Sequence, residues 1–385
     1  MSPTEFQSTW ATGLVSSRSG AAAPLAHPQL PVPEAPWLVQ YDLNRERGAW
    51  LADQLPSRDW TLWRYRELLP IEDWSRRVSL GEGGTPMVRL QRTGPAGIEI
   101  LLKLEEGNPT GSFKARGLAL AVSRARELGA PGIQLPSAGN AALAAAAYAA
   151  AAHLPCRIAL PEDTPSGIAH RCLSYGCEVL HGGRTLVESA AILQQQDGDF
   201  WDLSTFKEPY RVEGKKTMGL ELAEQLSWRL PDWIVYPTGG GTGIVAMAKA
   251  FAELRSLGLI DERRSRFAVV QMEGCAPLVE AFTKGAESAE TWRKPVTDVW
   301  GLRVPRSIAD FLILQAVRES GGTALSVSES SVGPTAERMA REEGLWIGPE
   351  GAAAVAATEK LIEDGLVTDG QRVLVFQTGH PANYS

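Results

Sequence analysis

From Leu80 onward the chain alternates short apolar runs with amphipathic helical stretches, and that alternation admits few architectures. Strands are expected at Ile98 to Leu104, Gly132 to Leu135, Arg157 to Leu160, Glu178 to His181, Trp233 to Tyr236, Phe267 to Met272 and Arg372 to Phe376. Helices fit between most of them, at Phe113 to Leu128, Asn140 to His153, Glu213 to Trp228, Gly243 to Leu257 and Glu350 to Asp364. The pattern implies mainly parallel sheets with helices on both faces, an architecture that binds ligands at the carboxyl ends of its strands.

With 385 residues, 44% of them hydrophobic, the chain can bury enough surface for two domains, or for one with a large insertion. Its net charge of -7 argues against a general attraction to nucleic acid or an anionic membrane, so a local basic cluster carries meaning. The longest apolar run, Ala141 to Ala152, is too short to span a bilayer and mostly alanine, which reads as a packed helix. No basic stretch followed by a leucine-rich segment opens the chain, so no secretory signal is expected and the cytoplasm is the default location. The four cysteines, Cys156, Cys172, Cys177 and Cys275, are too few for a disulfide scaffold and include no CxxC pair. They read as buried free thiols, and no metal is expected because neither histidine nor a second cysteine pair stands at zinc-site spacing.

Residues 1–35 are rich in Ser, Ala and Pro without a sustained hydrophobic period and suggest a loosely ordered arm. Pro36 to Leu43 reads as a short strand. Residues 44–79 carry helical patterning, with Trp50, Trp60, Trp63, Tyr65 and Trp74 placed to anchor it to the main body.

Four segments carry chemistry. Lys114 stands in Asn108-Pro109-Thr110-Gly111-Ser112-Phe113-Lys114-Ala115-Arg116-Gly117, at the start of an expected helix among small and apolar neighbours. Burial there would lower the pKa of its amine and make it a nucleophile toward a carbonyl; a surface lysine at a helix start is the plain alternative. Ser137-Ala138-Gly139-Asn140 turns a strand into the alanine-rich helix, where Asn140 can face a ligand ring or cap the helix. Pro237-Thr238-Gly239-Gly240-Gly241-Thr242-Gly243 also joins a strand to a helix, and its converging N–H groups at a helix N-terminus favour a phosphate. No acidic residue ends a second strand about twenty residues on, which disfavours a nicotinamide dinucleotide; a tight turn remains the bland reading. The stretch Lys207 to Thr217 is basic within an acidic protein, and Arg211 and Lys215 stand four apart, although Gly214 between them could break the helix. A solvated charged surface is its ordinary explanation.

A lysine amine for an aldehyde and a glycine nest for a phosphate, with Ser137 to Asn140 between them, resemble the fold-type-II pyridoxal-phosphate enzymes, and most closely the threonine synthase family. The resemblance runs from about Trp37 to Thr378. It implies two doubly wound α/β domains with mainly parallel sheets. Residues 36–120 and 209–385 would form a large cofactor-binding domain with an N-terminal extension, and 121–208 a small mobile domain. Pyridoxal 5'-phosphate would be carried by Lys114 beside Phe113, with Asn140 on the 3'-oxygen of its ring. Its phosphate would lie on Gly239, Gly240, Gly241, Thr242 and Gly243. Thr378, after the last strand, would face the pyridine nitrogen, where a neutral hydroxyl favours elimination or replacement over transamination. Substrate contacts are expected from Thr85, in Gly81-Glu82-Gly83-Gly84-Thr85-Pro86, and from Ser137, Arg211, Lys215 and Lys216. Arg211 suits the substrate phosphate through its paired donors.

The implied activity is that of a carbon–oxygen lyase converting O-phospho-L-homoserine and water to L-threonine and phosphate. Relatives on this fold include ammonia-lyases for threonine or serine and enzymes such as cysteate synthase that use phosphoserine. A noncatalytic cofactor or amino-acid binder is the remaining class. The partner is a small phosphorylated amino acid and the assembly a homodimer. The chain departs from the family pattern in two places. No paired cysteines precede the Tyr-Asp-Leu segment, and the C-terminus reads His380-Pro381-Ala382-Asn383 where glycine and lysine commonly follow.

Overall fold

A computed structural model describes residues 9–26 and 35–383. Its first sheet is small and antiparallel, in the order β2-β1-β3, from β1 (Ala11–Ser16), β2 (Ala22–Ala23) and β3 (Trp37–Tyr41). Within the expected loosely ordered arm of 1–35, residues 9–26 thus hold two paired strands. Leu14 of β1 is buried against Val39 of β3, and Trp10 is fastened by its backbone N–H to the Glu67 carbonyl, 2.8 Å. The low-complexity composition hid a strand that exists because β3 pairs with it. Residues 1–8 and 27–34 lie outside the described part.

The region 44–79 is less helical than its patterning suggests. Only α1 (Arg45–Gln54), capped by the Asn44 side chain, is an α-helix. Pro56 then opens a tight 3-10 turn, and two more follow at Leu62–Leu68 and Trp74–Arg76. Trp63 and Tyr65 are buried as anchors, whereas Trp60 lies 48% exposed under the Arg64 guanidinium.

The main sheet has six strands in the order β12-β11-β10-β13-β5-β4: β4 (Met87–Arg89), β5 (Glu99–Leu104), β10 (Trp233–Pro237), β11 (Arg266–Met272), β12 (Thr323–Val327) and β13 (Arg372–Gln377). Only the β4–β5 pair is antiparallel. Alternate residues of β10 feed two cores. Ile234 and Tyr236 pack with α6 (Tyr210–Gln225), α7 (Thr242–Ser256), α8 (Pro277–Thr283) and α9 (Asp310–Glu319). Trp233 and Val235 pack on the other face with α11 (Pro349–Glu363), beside α10 (Glu329–Arg338).

The smaller sheet is all parallel, in the order β8-β7-β6-β9: β6 (Ile133–Pro136), β7 (Cys156–Leu160), β8 (Glu178–His181) and β9 (Trp201–Asp202). Its core is shared with α2 (Lys114–Glu127), α3 (Asn140–Ala152) and α4 (Ser166–Ser174), while α5 (Leu186–Gln194) lies over the same sheet. The chain is thus an α/β protein with two mainly parallel sheets. The domain boundary expected at residue 120 falls inside α2, whose apolar residues Ala115 to Ala125 pack continuously with the smaller sheet. All four cysteines are free and buried.

Helix α2 meets α6 at unusually close range. A Cβ on Gly117 would lie 2.9 Å from the Arg211 carbonyl oxygen, and one on Gly214 only 2.2 Å from that of Arg116. Gly214 does not break the helix; it lets α6 run unbroken through Arg211 and Lys215, which therefore share a face. A fully buried ion network backs the crossing. Arg116 donates to Glu105 (2.7 Å) and Glu221 (2.9 Å), and Lys103 donates to Glu221 (2.6 Å). In an open helix, Gly→Ala stabilises by about 0.5–1 kcal/mol. Here Gly214→Ala is expected to destabilise by about 1–3 kcal/mol through overpacking, checked by urea denaturation against wild type.

Candidate functional site

Lys114 is the first residue of α2, and of residues 112–125 it alone keeps part of its surface open. Its amine lies 3.8 Å from the centre of the Phe113 ring. Burial, reinforced by the nearby Arg211 guanidinium and opposed by Glu350, brings its pKa down to about 7. Lys215 approaches the same Phe113 ring, 5.3 Å from its centre, and donates 2.6 Å to Thr242 Oγ1. One ring and one hydrogen bond therefore connect the Lys114 amine to the first turn of α7, immediately after the glycine run.

That turn is shaped to receive an anion. Gly241 takes the left-handed conformation, φ 75°, where a Cβ would also strike Ile313. The fifteen-residue helix α7 starts without a side-chain cap, so its N-terminal positive potential has no side-chain acceptor of its own. Lys215 adds an amine donor, and its pKa is held well below the usual lysine value by burial, then by Arg211 and Lys114. Ser307 fixes the loop from behind by donating 2.9 Å to the Gly240 carbonyl.

Arg211 is the third cation of this cluster and 1% exposed. Nη1 donates 2.5 Å to the Leu203 carbonyl, while Nε and Nη2 are buried without a partner among the described residues. Glu208, its acidic neighbour, is occupied by the backbone N–H groups of Tyr210 and Arg211, and burial lifts its pKa to about 7. A buried guanidinium with two idle nitrogens beside two lysine amines favours an anion, and an orphaned buried donor costs about 1–3 kcal/mol until one binds. A phosphorylated aldehyde fits this donor set: an amine at one end, a glycine cradle with an ammonium at the other.

Asn140 opens α3, and its Oδ1 accepts 2.7 Å from Asn383 Nδ2. Ser137 Oγ caps the same helix locally, accepting from the N–H groups of Gly139 and Ala142. Thr378 follows β13, and its carbonyl accepts from Phe113 N at 3.1 Å, which zips the end of the main sheet to the lysine segment.

Two expected substrate contacts lie elsewhere. Thr85 is 2% exposed, and its hydroxyl lies 2.8 Å from a Glu105 carboxylate oxygen and 3.1 Å from one of Glu221, within the ion network under α2. Lys216 is fully buried between Glu213 (2.6 Å) and Glu253 (2.7 Å), with the Tyr41 ring 3.8 Å from its amine. Consecutive residues on a helix point about 100° apart, so Lys215 and Lys216 do not serve one pocket. Lys215 itself belongs with the glycine loop. Glu350, which opposes the lowering of the Lys114 pKa, and Asn383, which donates to Asn140, are neighbours of the site that sequence reasoning missed. For Glu350 the available signal was the Gly-Pro-Glu start of α11, where its carboxylate accepts from Gly301 N at 3.0 Å.

Comparison with known proteins gives the family from sequence and a shared fold from shape. A family model described as pyridoxal-phosphate dependent enzyme matches residues 78–379. Threonine synthase of Methanocaldococcus jannaschii is 33% identical, over 89% of this chain and 85% of that one. The Methanosarcina acetivorans threonine synthase is 35% identical, over 83% and 79%. Among solved structures, the processed threonine deaminase isoform 2 of Solanum lycopersicum superposes with a TM-score of 0.65 at 18% identity, covering 90% of this chain and 94% of that one, which speaks to fold.

The lowered amine pKa has a kinetic signature. The rate at which cofactor-free protein captures pyridoxal 5'-phosphate should rise about tenfold per pH unit below 7 and level off above it. Stopped-flow absorbance across pH 5.5–9.5 checks this; a rise continuing to pH 9.5 would mean an ordinary, solvated lysine.

Proposed function

The chain belongs to the pyridoxal-phosphate-dependent enzymes, among the threonine synthases, and from that premise we propose that it converts O-phospho-L-homoserine and water to L-threonine and phosphate. The observation that carries this reading is that two nitrogens of buried Arg211, Nε and Nη2, have no partner among the described residues. The glycine loop and Lys215 supply one anion cradle, and Arg211 supplies a second. A simple hydroxy amino acid gives the second nothing to bind, whereas a phosphorylated one does.

In this reading the cofactor is held by Lys114, by the N–H groups of Gly239 to Gly243 with Thr242 and Lys215, by Asn140 and by Thr378, with Phe113 alongside. When bound, it supplies an electron sink for negative charge developing on carbons of the attached amino acid. The remaining work is done by side chains. Lys114, poised near neutrality, removes the proton at the substrate α carbon and carries protons at the β carbon. Arg211 holds the γ-phosphate and stabilises the charge it carries away on departure. Ser137, whose hydroxyl accepts from the Ala142 N–H at the α3 N-terminus, would contact the substrate. Approach of the smaller domain, built on the sheet β8-β7-β6-β9, would keep bulk water out until one molecule adds at the β carbon. No helix among the described residues is long and apolar enough to cross a membrane. A cytoplasmic location and a homodimeric assembly complete the proposal, resting on the family resemblance.

The test is to incubate the cofactor-loaded enzyme with O-phospho-L-homoserine and measure phosphate and threonine together, beside 2-oxoacid release from threonine and serine. Equal release of phosphate and threonine is expected. Arg211→Ala should lower kcat/KM about 10- to 100-fold, the value of one or two charge-assisted hydrogen bonds, without releasing the cofactor. Faster 2-oxoacid formation than phosphate release would contradict the assignment.

A further inference from the structure

The matched family region ends at residue 379, and residues 379–383 fold back along the segment that leads into Lys114. Ser112 and Gly379 form a β-bridge, and His380 N donates 2.8 Å to the Gly111 carbonyl. A short 3-10 turn over Pro381–Asn383 then brings the Asn383 side chain inside, 6% exposed. There Nδ2 donates 3.0 Å to the Thr110 carbonyl and lies 3.4 Å from that of Gly111. Gly111 leaves room for this: a Cβ on it would stand 3.0 Å from Asn383 Nδ2 and 3.2 Å from the His380 Cβ.

Those two carbonyls belong to a turn that Thr110 would not adopt by itself. Thr110 has φ 63° and ψ 12°, and Gly111 follows at φ 71°. Glycine takes the left-handed conformation freely, whereas the Cβ of a β-branched residue crowds a carbonyl oxygen there, so the surroundings have to impose it. The Thr110 side chain offers no compensation, since its hydroxyl is buried without a partner among the described residues. From within, the turn is closed by Gly111 N on the Asn108 carbonyl, 2.9 Å; from outside, His380 and Asn383 hold its two carbonyls. The Asn383 amide is itself oriented, because Arg171 Nη1 of α4 donates 2.9 Å to Oδ1 and a guanidinium can only donate, which leaves Nδ2 for the carbonyls.

We infer that Asn383 is a positioning residue for Lys114: it holds the strained Thr110–Gly111 turn, and that turn sets where the first residue of α2 stands. The turn runs through Ser112 and Phe113 directly into Lys114, so its relaxation is passed to the start of the helix. This rests on the reading of Lys114 as the amine that takes the cofactor. The surroundings of that amine make a displacement measurable. Burial brings its pKa down to about 7, Arg211 and Lys215 crowd it from α6, and Glu350 of α11 opposes them. An amine let out of this place is better solvated, and its pKa rises toward the ordinary lysine range.

The test follows capture of pyridoxal 5'-phosphate by cofactor-free protein across pH 5.5–9.5. It compares wild type, Asn383→Ala, Thr110→Gly and Thr110→Ala, with each Thr110 variant also combined with Asn383→Ala. Asn383→Ala should move the break in the rate profile up by about one pH unit or more and slow capture at pH 6 about tenfold. In Thr110→Gly the left-handed turn is unstrained, so removing the Asn383 side chain from it should leave the break near 7. Thr110→Ala keeps a Cβ and should not rescue. The loss of melting temperature caused by Asn383→Ala should likewise shrink beside Thr110→Gly and persist beside Thr110→Ala. An unmoved break in Asn383→Ala overturns the inference. So does a shift that Thr110→Gly fails to suppress, which would assign the effect to the lost Arg171 and Asn140 contacts. Should Asn383→Ala not fold, Asn383→Ser is read by the same criteria. Capture by Lys114→Ala at the wild-type rate would sink the reading of Lys114 itself, and this inference with it.

Discussion

The close crossing of α2 over α6 is the constraint on which the pocket depends. Backbone meets backbone where Gly117 faces Arg211 and Gly214 faces Arg116, and no side chain fits between them. Beneath the crossing, Lys103, Glu105, Arg116 and Glu221 are all fully out of solvent, with two charges of each sign. Burial pulls the Lys103 pKa down, while the two cations around Glu221 hold that carboxylate far below the usual range. Such a network gains little net stability over an apolar core, but losing one partner leaves a buried charge exposed to its neighbours' fields at about 3–5 kcal/mol. Its value is geometric: it fixes the first turn of α2, and hence where Lys114 stands.

From that geometry follows the electrostatics. Lys114, Arg211 and Lys215 crowd one cleft, and each is destabilised as a cation by burial; Lys114 and Lys215 are destabilised further by their cationic neighbours. The nearby carboxylates, Glu208 and Glu350, are engaged with backbone N–H groups and offset the charge only in part. The cleft is therefore poor in anions in the protein alone and is relieved by ligands that bring them. The depressed amine that makes Lys114 reactive at neutral pH and the attraction for phosphate are two consequences of the same crowding.

Much of this was legible in the sequence, for identifiable reasons. The strands of the parallel sheets announce themselves because both faces are buried, giving continuous apolar runs such as Trp-Ile-Val-Tyr. β12 did not, since Thr323 to Ser326 are only half-buried at the edge of the sheet and read as neither pattern. β1 is created by pairing with β3 and has no signature of its own. The lysine and glycine motifs pointed to the cleft because the chemistry needs those residue types there. Thr85 and Lys216 misled because a buried ion network uses the same residues as a binding site, and only packing tells them apart. Asn383 had a signal, the altered ending after Thr378, but its partners come from α3, α4 and the lysine segment, which sequence order keeps far apart.

The central claim is that one cleft holds two separate anion cradles, only one of which the cofactor fills. Counting inorganic phosphate sites by phosphorus NMR titration of the cofactor-free and cofactor-loaded protein tests it most directly. Two bound phosphates per chain without cofactor, and one remaining in the loaded enzyme, are predicted. A single site that disappears on loading would contradict the account.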